Sequence, residues 1–219
     1  MIGGWLALHL YGVFLHPLQG AGGWAAPLLV AVQTWLGTGL FIVAHDAMHG
    51  SLAPGRPRLN AALGQLAVGL YAGFSFRRLR GKHMGHHRAP GTEEDPDFHA
   101  ARPRDFIRWY VRFFRTYFGW REFALVTVVL VAWLLLGARP LNLALFWGVP
   151  AIASSLQLFT FGTWLPHRHT DAAFADAHAA RTVPMSWTLS LLTCFHFGRH
   201  HEHHLQPGVP WWRLPGVRA

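Results

Sequence analysis

Histidine is the residue type in this chain whose number and spacing could do chemistry. There are 16 histidines among 219 residues, and most lie in four short stretches. Those stretches are HDAMH (45–49), HMGHH (83–87), PHRH (166–169) and HHEHH (200–204). Because residues i, i+3 and i+4 share one face of a helix, the spacing predicts that each of the first, second and last stretches directs its imidazoles at one point. The predicted metal ligands are His45, His49, His83, His86, His87, His200, His203 and His204.

The ligand types narrow the choice of metal. Cys194 is the only cysteine, which excludes an internal disulfide and a cysteine-based zinc or iron–sulfur site. Imidazole suits iron, copper, nickel and zinc alike. The imidazoles exceed what a tetrahedral zinc ion needs, so their number favours a pair of ions with roughly four or five ligands each. We expect a redox metal with open positions for oxygen, and two iron(II) ions are the preferred assignment.

The carboxylates nearest these stretches are predicted to orient imidazoles. A metal-bound histidine commonly donates its second ring N–H to a carboxylate. Asp46, Glu202 and Asp171 are the candidates, and the alternative for each is a solvated acid at the membrane interface. Asp95 and Asp97 are expected instead to pair with arginines or to cap a helix.

The composition indicates an integral membrane protein. Hydrophobic residues make up 52% of the chain and charged residues only 13%, whereas a soluble domain carries roughly 25% charged residues. The net charge of +9 does not indicate nucleic-acid binding, because the basic residues lie between long apolar segments. We expect an all-α membrane protein that forms one domain over residues 1–219, and its oligomeric state stays open.

Apolar segments predict about four transmembrane helices in two hairpins. Each hairpin has a short turn, and a further segment is predicted to re-enter or to lie at the interface, while another is too short to cross. The first hairpin is 2–15 with 25–44, the second is 123–137 with 141–162, the re-entrant segment is 61–76, and the short segment is 185–197.

The distribution of positive charge predicts the orientation. If both hairpin turns face outward, every Arg and Lys except Arg139 lies on the other side. Lys and Arg are enriched in cytoplasmic loops. Both termini and a histidine-rich cap are therefore expected on the cytoplasmic face.

These motifs resemble a known family. The histidine boxes are similar to those of membrane-bound di-iron desaturases, alkane hydroxylases and carotenoid oxygenases. The stretches LFIVAHDAMHGSLAPGRPRLNAALG, APGTEEDPDF, FRTYFGWRE, LQLFTFGTWLPHRHTD and LLTCFHFGRHHEHHL look like those of bacterial β-carotene ketolases, from about residue 30 to the end.

The resemblance implies a reaction and a location. The reaction is an O2-dependent double hydroxylation at C4 of β-ionone rings that yields a ketone. β-Carotene would give echinenone and then canthaxanthin, and 3-hydroxylated rings such as those of zeaxanthin would lead toward astaxanthin. The location implied is the inner membrane of a bacterium.

The resemblance also implies site residues. All eight histidines named above carry over as ligands, and His167 matches a further ligand position. Thr163 stands where related enzymes have Asn, and it is a possible additional ligand together with His196 and His201. The roles of His169 and His178 stay open.

Substrate and electron donor follow from the same chemistry. A bilayer-dissolved carotenoid needs a tunnel from the lipid, and aromatic residues flank the histidines, with ordinary helix packing as the alternative for each. The predicted tunnel residues are Tyr71, Phe74, Phe76, Phe159, Phe161, Trp164, Phe195 and Phe197. Electrons would come from an external, ferredoxin-like carrier, and the predicted docking residues are Arg77, Arg78, Arg80 and Lys82.

Two other classes of function share some of these sequence features. A carotenoid 3-hydroxylase or an acyl-lipid desaturase or hydroxylase would use the same boxes, since these specify metal and oxygen but not substrate. A metal transporter would require polar residues within the spans, and the central spans contain little beyond Gln33, Ser154, Ser155 and Gln157.

Overall fold

The computed structural model describes residues 1–218, and all the regular secondary structure within them is helical. The one β-type contact in these residues is an isolated antiparallel bridge between Thr182 and Arg199. This confirms the all-α prediction. The helices are α1 (Ile2–Leu15), α2 (Ala21–His49), α3 (Pro57–Ala72), α4 (Phe76–Arg88), α5 (Phe106–Tyr117), α6 (Trp120–Leu135), α7 (Pro140–His167), α8 (Trp187–Cys194) and α9 (His200–Leu205), followed by a 3-10 turn (Trp211–Gly216).

Two helices are long and apolar enough to cross a membrane. α2 has 29 residues and α7 has 28, so each extends about 42 Å at 1.5 Å per residue, beyond the ~30 Å hydrocarbon core. They contain the predicted spans 25–44 and 141–162 and run past them at the ends that carry histidine. The extra turns place His45, His49 and His167 at helix C-termini rather than in loops.

The first segment is shorter than a spanning helix. Ile2–Leu15 is apolar and packs against α2, but it falls below the length of a span. The turn that joins α1 to α2 is also shorter than predicted, because α2 begins at Ala21. Asn142 ties this turn to α7 by donating to the carbonyls of Gly12 at 2.7 Å and His16 at 2.9 Å.

Four further helices form two bent pairs. α3 and α4 meet at 99°, and α5 and α6 meet at 78°, so each pair is either a broken span or a re-entrant loop. Gly73 ends α3 with φ at 68°, a conformation that glycine adopts without strain. The chain therefore has two candidate spans, or up to four if each bent pair counts as one. The predicted number of about four holds only on the second count.

α7 contains two π-helical turns, Ala144–Gly148 and Thr160–Trp164. Each lies just before a proline, Pro150 or Pro166. Proline has no N–H and cannot bond the carbonyl four residues earlier, and a π turn is a known way to accommodate such a break. The helix is therefore locally widened before Pro166 and continues to His167.

Candidate metal centre

Nine histidines form two clusters. In each cluster the potential ligand nitrogens lie within 4.8 Å of one another. The five-histidine cluster contains His45, His49, His83, His87 and His203. The four-histidine cluster contains His86, His167, His200 and His204. The structure thus brings together all nine residues named as principal ligands from the sequence.

The HxxHH boxes divide between the clusters, which corrects the expectation that each box addresses one point. On α4, His83 and His87 join the five-histidine cluster while His86 joins the other. On α9, His203 separates from His200 in the same way. Residues one apart on a helix point about 100° apart, so each box can place its imidazoles in both clusters. Each box therefore contributes imidazoles to both clusters.

The unpaired ring nitrogens fit metal ions. Both nitrogens of His45 and of His200, and Nε2 of His167, are buried without a hydrogen-bond partner. A buried polar atom without a partner costs roughly 1–3 kcal/mol. Elsewhere two Nε2 atoms face each other, at 2.7 Å between His49 and His83. Lone pairs converging in this way are the donor set that a divalent transition metal takes.

The surroundings keep the three clustered imidazoles of α9 neutral, those of His200, His203 and His204. Burial, and then the neighbouring imidazoles, lower the pKa of His200 and of His203 well below the usual value for histidine. Burial likewise lowers the pKa of His204, followed by the effect of His86. A neutral imidazole has the free lone pair that ligation requires.

Two hydrogen bonds that were not predicted orient the four-histidine cluster. Nδ1 of His86 donates to the carboxylate of Asp95 at 2.9 Å, and Nδ1 of His167 donates to the carbonyl of Ala179 at 2.7 Å. Each bond turns the Nε2 atom of its ring inward. Asp95 was expected to pair with arginine or cap a helix; its position in DPD shortly after the second box was the available signal.

The carboxylate of Asp95 is fixed by backbone hydrogen bonds. The backbone N–H groups of Gly91 and Asp97 donate to its two oxygens, each at 2.8 Å. Burial alone would raise the pKa of Asp95, but the bond from His86 and these two N–H groups outweigh burial and lower it. The carboxylate is therefore a fixed negative charge beside His86.

The three acids predicted for this role have other partners. Glu202 accepts from Arg199 at 3.0 Å and from the hydroxyl of Thr182. Asp171 is almost fully exposed and pairs with an arginine at 3.0 Å. Asp46 accepts the N–H of Trp211 at 3.1 Å, while its nearest imidazole nitrogen is 3.6 Å away and outside hydrogen-bond range. Although these acids are close to the histidine boxes in sequence, their carboxylates do not accept hydrogen bonds from the clustered imidazoles.

The additional candidate ligands lie outside both clusters. His201 donates to Asp176 at 2.9 Å on the surface. His196 bonds the hydroxyl of Ser190 at 3.1 Å. Thr163 is buried and lines the cavity described next. It is the one member of this group that faces the same space as the clusters.

A cavity of about 590 Å³ connects the clusters to the apolar helices. His45, His83, His86 and His200 form part of its wall. Its lining along α7 runs from Pro140 to Thr163, which is about 35 Å of helix at 1.5 Å per residue. The cavity is thus long, largely apolar and closed at one end by imidazoles.

Three of the eight predicted tunnel residues line this cavity: Tyr71, Phe74 and Phe197. The other five pack elsewhere, which is the alternative that was open for each. Phe76 packs on Gly64, and Phe195 stacks on Trp35. The remaining three of these pack in the helix core and are Phe159, Phe161 and Trp164. Other aromatic residues that line the cavity were not predicted from the sequence. Most of them lie in α5 or directly after it and are Phe113, Phe114, Tyr117 and Phe118.

The basic residues of α4 differ in availability. Arg77, Arg78 and Arg80 are exposed, although Arg80 also donates to the carbonyl of Met48 at 2.9 Å. Lys82 is half-buried, donates to the carbonyl of Thr116 and lies over the ring of a tyrosine. Lys82 is therefore occupied within the protein, and the free positive charge is at the start of α4.

The fold and the site together define a class: a helical protein with membrane-length helices and a histidine-rich centre beside an apolar cavity. The family described as Fatty acid desaturase matches residues 20–127 and 117–219. A β-carotene ketolase of Paracoccus sp. (strain N81106 / MBIC 01143) is 54% identical over the whole of this chain and 89% of the relative. A β-carotene ketolase of Haematococcus lacustris is 37% identical over the whole of this chain and 76% of the relative. A sn-1 oleoyl-lipid 12-desaturase of Anabaena variabilis is 24% identical over 90% of this chain and 71% of the relative.

The chain therefore belongs to the fatty acid desaturase family, within the group of the β-carotene ketolases. It is an oxidoreductase of the oxygenase type. The relatives whose names specify carotenoids share far more sequence with it than the acyl-lipid desaturase does.

Proposed function

We propose that this chain is a carotenoid 4-ketolase that uses O2 to convert C4 of a β-ionone ring into a ketone. β-Carotene would give echinenone and then canthaxanthin. The observation that carries the proposal is the meeting of two imidazole clusters with one long apolar cavity. The identity to β-carotene ketolases supports the choice of substrate.

The two clusters are the proposed metal ligands. The five-histidine cluster would hold one iron ion and the four-histidine cluster the other. Bound iron would supply the activation of O2 and the oxidising power that C–H oxidation needs. Asp95 and the carbonyl of Ala179 hold the proton on Nδ1 of His86 and His167, which leaves Nε2 free for the metal.

The cavity accounts for selection of an apolar substrate. Its wall along α6 and α7 consists of side chains such as Leu130, Leu134, Leu143 and Ile152. Burial of apolar surface contributes roughly 25 cal/mol per Å², so a polyene bound there gains affinity along its length. The same wall excludes water from the end where oxidation occurs.

The proposed orientation places the clusters on the cytoplasmic face of a bacterial inner membrane. α2 and α7 both carry histidine at their C-terminal ends, whereas Arg139 lies at the opposite end of α7. The excess of Arg and Lys on the histidine side supports a cytoplasmic location for that side and for both termini. A ferredoxin-like carrier would then reach the site from the cytoplasm.

Expression in a bacterium that accumulates β-carotene tests the proposal. We expect echinenone and canthaxanthin in the extracted pigment, identified by chromatography and mass spectrometry. A strain that expresses His86→Ala is the matched control and should retain β-carotene. Pigments carrying only 3-hydroxyl groups would assign the chain to the hydroxylases instead, and unchanged β-carotene from a folded, iron-loaded protein would contradict the proposal.

A further inference from the structure

A polar pair stands in the largely apolar wall of the cavity near its histidine end. Asp97 and Tyr117 both line the cavity, and the tyrosine hydroxyl donates to Oδ1 of the aspartate. Neither residue belongs to the two imidazole clusters, although Asp97 forms a third close group with His86 and Asp95. The mechanism described above, which oxidises an apolar ring, makes no use of this pair.

Asp97 is held in place by its surroundings. Its N–H donates to Asp95 at 2.8 Å, and its carbonyl accepts from the indole of Trp109 at 2.7 Å. With the bond from Tyr117, these contacts fix backbone and carboxylate together. Among residues 1–218, no donor bonds the second carboxylate oxygen, Oδ2, and no ion pair involves this side chain. The free Oδ2 atom of Asp97 is thus an available hydrogen-bond acceptor in the cavity wall.

The acceptor lies close to the place of oxidation. An oxygen of Asp97 and a ring nitrogen of His86 are within 4.8 Å of each other. His86 belongs to the four-histidine cluster, so a ring whose C4 faces that cluster has its neighbouring atoms beside Asp97. C3 is bonded directly to C4, and a substituent on C3 is the first group that can reach this acceptor.

We propose that Asp97, positioned by Tyr117, accepts a hydrogen bond from the hydroxyl of a 3-hydroxylated β-ionone ring. The inference rests on the proposed function and names its preferred substrate class: rings that already carry a hydroxyl at C3. No bond is made or broken in this contact. An unsubstituted ring would leave the carboxylate facing apolar carbon, which costs free energy.

The strength of the contact gives the expected selectivity. An ordinary hydrogen bond contributes enough to change affinity by up to about tenfold. The protein should therefore bind zeaxanthin, which has a 3-hydroxyl on both rings, more tightly than β-carotene. Zeaxanthin dimethyl ether has an oxygen at the same place but no proton to donate, and it should bind no better than β-carotene.

The test is a binding titration on the intact, iron-loaded protein in lipid nanodiscs. Trp147 lines the cavity, so quenching of tryptophan fluorescence by the polyene reports binding of each of the three carotenoids. Asp97→Leu removes the acceptor and keeps the size of the side chain, and Asp97→Asn keeps its shape if the leucine variant does not fold. Ser155→Ala is the matched control, because it removes a cavity-lining hydroxyl elsewhere on the wall.

The ratio of zeaxanthin to β-carotene affinity is the quantity to compare, since β-carotene binding by the same sample corrects for folding. We expect this ratio to fall about tenfold in Asp97→Leu, by less in Asp97→Asn, and not in Ser155→Ala. An unaltered protein that binds the dimethyl ether as well as zeaxanthin, or a ratio unchanged in both Asp97 variants, overturns the inference. Failure of the proposed function is a separate result, visible as no ketone from β-carotene.

Discussion

Within the short helix α9, neighbouring side chains have different tasks. His200 and His204 join one imidazole cluster, and His203 joins the other. His201 points to the surface, and Glu202 bonds residues outside both clusters. The five consecutive polar residues 200–204 thus differ in role because their side chains point in different directions. Single substitutions among them are therefore expected to have sharply different effects.

Replacing His203 should remove a ligand, whereas replacing His201 should not. His203→Ala takes one imidazole from the five-histidine cluster and leaves the facing Nε2 of His87, 3.1 Å away, without its counterpart. We expect loss of ketone formation and a lower iron content by mass spectrometry. His201→Ala is the matched control, because its ring bonds Asp176 at the surface. Equal iron in both variants would contradict the ligand assignment.

Replacing Asp95 should weaken the metal centre without removing a ligand. Asp95→Asn loses the charge that holds the proton on Nδ1 of His86. Loss of such an orienting group typically costs about 10- to 100-fold in metal affinity or activity. Competition with a chelator measures the affinity. Asp171→Asn alters an exposed acid paired with Arg104 and should behave as the unaltered protein; a similar loss there would point to a general charge effect.

The clustering of eight histidines was predictable because helical spacing places them on connected faces, whereas His167 was expected from the family resemblance. Their division into two clusters was not, because i+3 and i+4 positions look equivalent in a sequence and differ in direction. Asp95 was also missed, since the loop that carries it folds back by hydrogen bonds from Gly91 and Asp97 that no periodicity encodes. Local pattern therefore gave the residue types of the site, and tertiary folding gave their orientation.

Among the helices, the bend between α3 and α4 positions the three histidines of α4. α4 carries His83, His86 and His87, and its first residue, Phe76, packs on Gly64 of α3. A Cβ added at Gly64 would lie 2.2 Å from the Phe76 ring. The absence of a side chain at Gly64 is therefore what lets the two helices meet closely at 99°.

Filling this contact should move α4 and disturb both clusters. Gly64→Val forces the rigid Phe76 ring away, and overpacking of this kind costs about 1–3 kcal/mol. We expect a lower melting temperature and a lower iron content in the same sample. Gly69→Ala on the same helix is the control, since its Cβ would meet only Gln65 Nε2, at 3.6 Å. A loss of iron in the control alone would contradict the role of the bend.

Helix identity was easier to predict than helix geometry. The apolar runs within α2 and α7 were recognised because uncharged stretches of that length are typical of spans. A re-entrant segment was expected at 61–76, but the angles of the bends were not, because they depend on pairs such as Gly64 and Phe76 that meet only in the folded chain. The amphipathic α5 was missed as a cavity wall for the same reason.

For the whole molecule, charge is arranged unevenly. Arg77 and Arg78 are exposed near the histidine end, whereas Arg139 stands at the other end of α7. Charged surfaces steer an oppositely charged partner and do so less in high salt. An acidic electron carrier would thus be guided to the end of the molecule where the cavity meets the clusters.

Reversing the exposed charge should slow reduction by the carrier. Arg77→Glu combined with Arg78→Glu should raise the concentration of ferredoxin needed for half-maximal ketone formation and weaken its dependence on salt. Arg139→Glu makes a single reversal at the opposite end and should leave both quantities unchanged. Identical carrier dependence in all three proteins would exclude docking at the start of α4.

The cavity joins the apolar helices to the metal centre, so blocking its middle should separate the two. Ala151 lines the cavity about 24 Å along α7 from His167, at 1.5 Å per residue. Ala151→Phe should reduce ketone formation from β-carotene while leaving iron content intact, because the ligands are remote from the new ring. Val149→Phe places the same ring two residues earlier on an exposed part of α7 outside the lining. Because the two variants differ only in which side of α7 carries the ring, equal activity in both would mean that the carotenoid reaches the iron by another route.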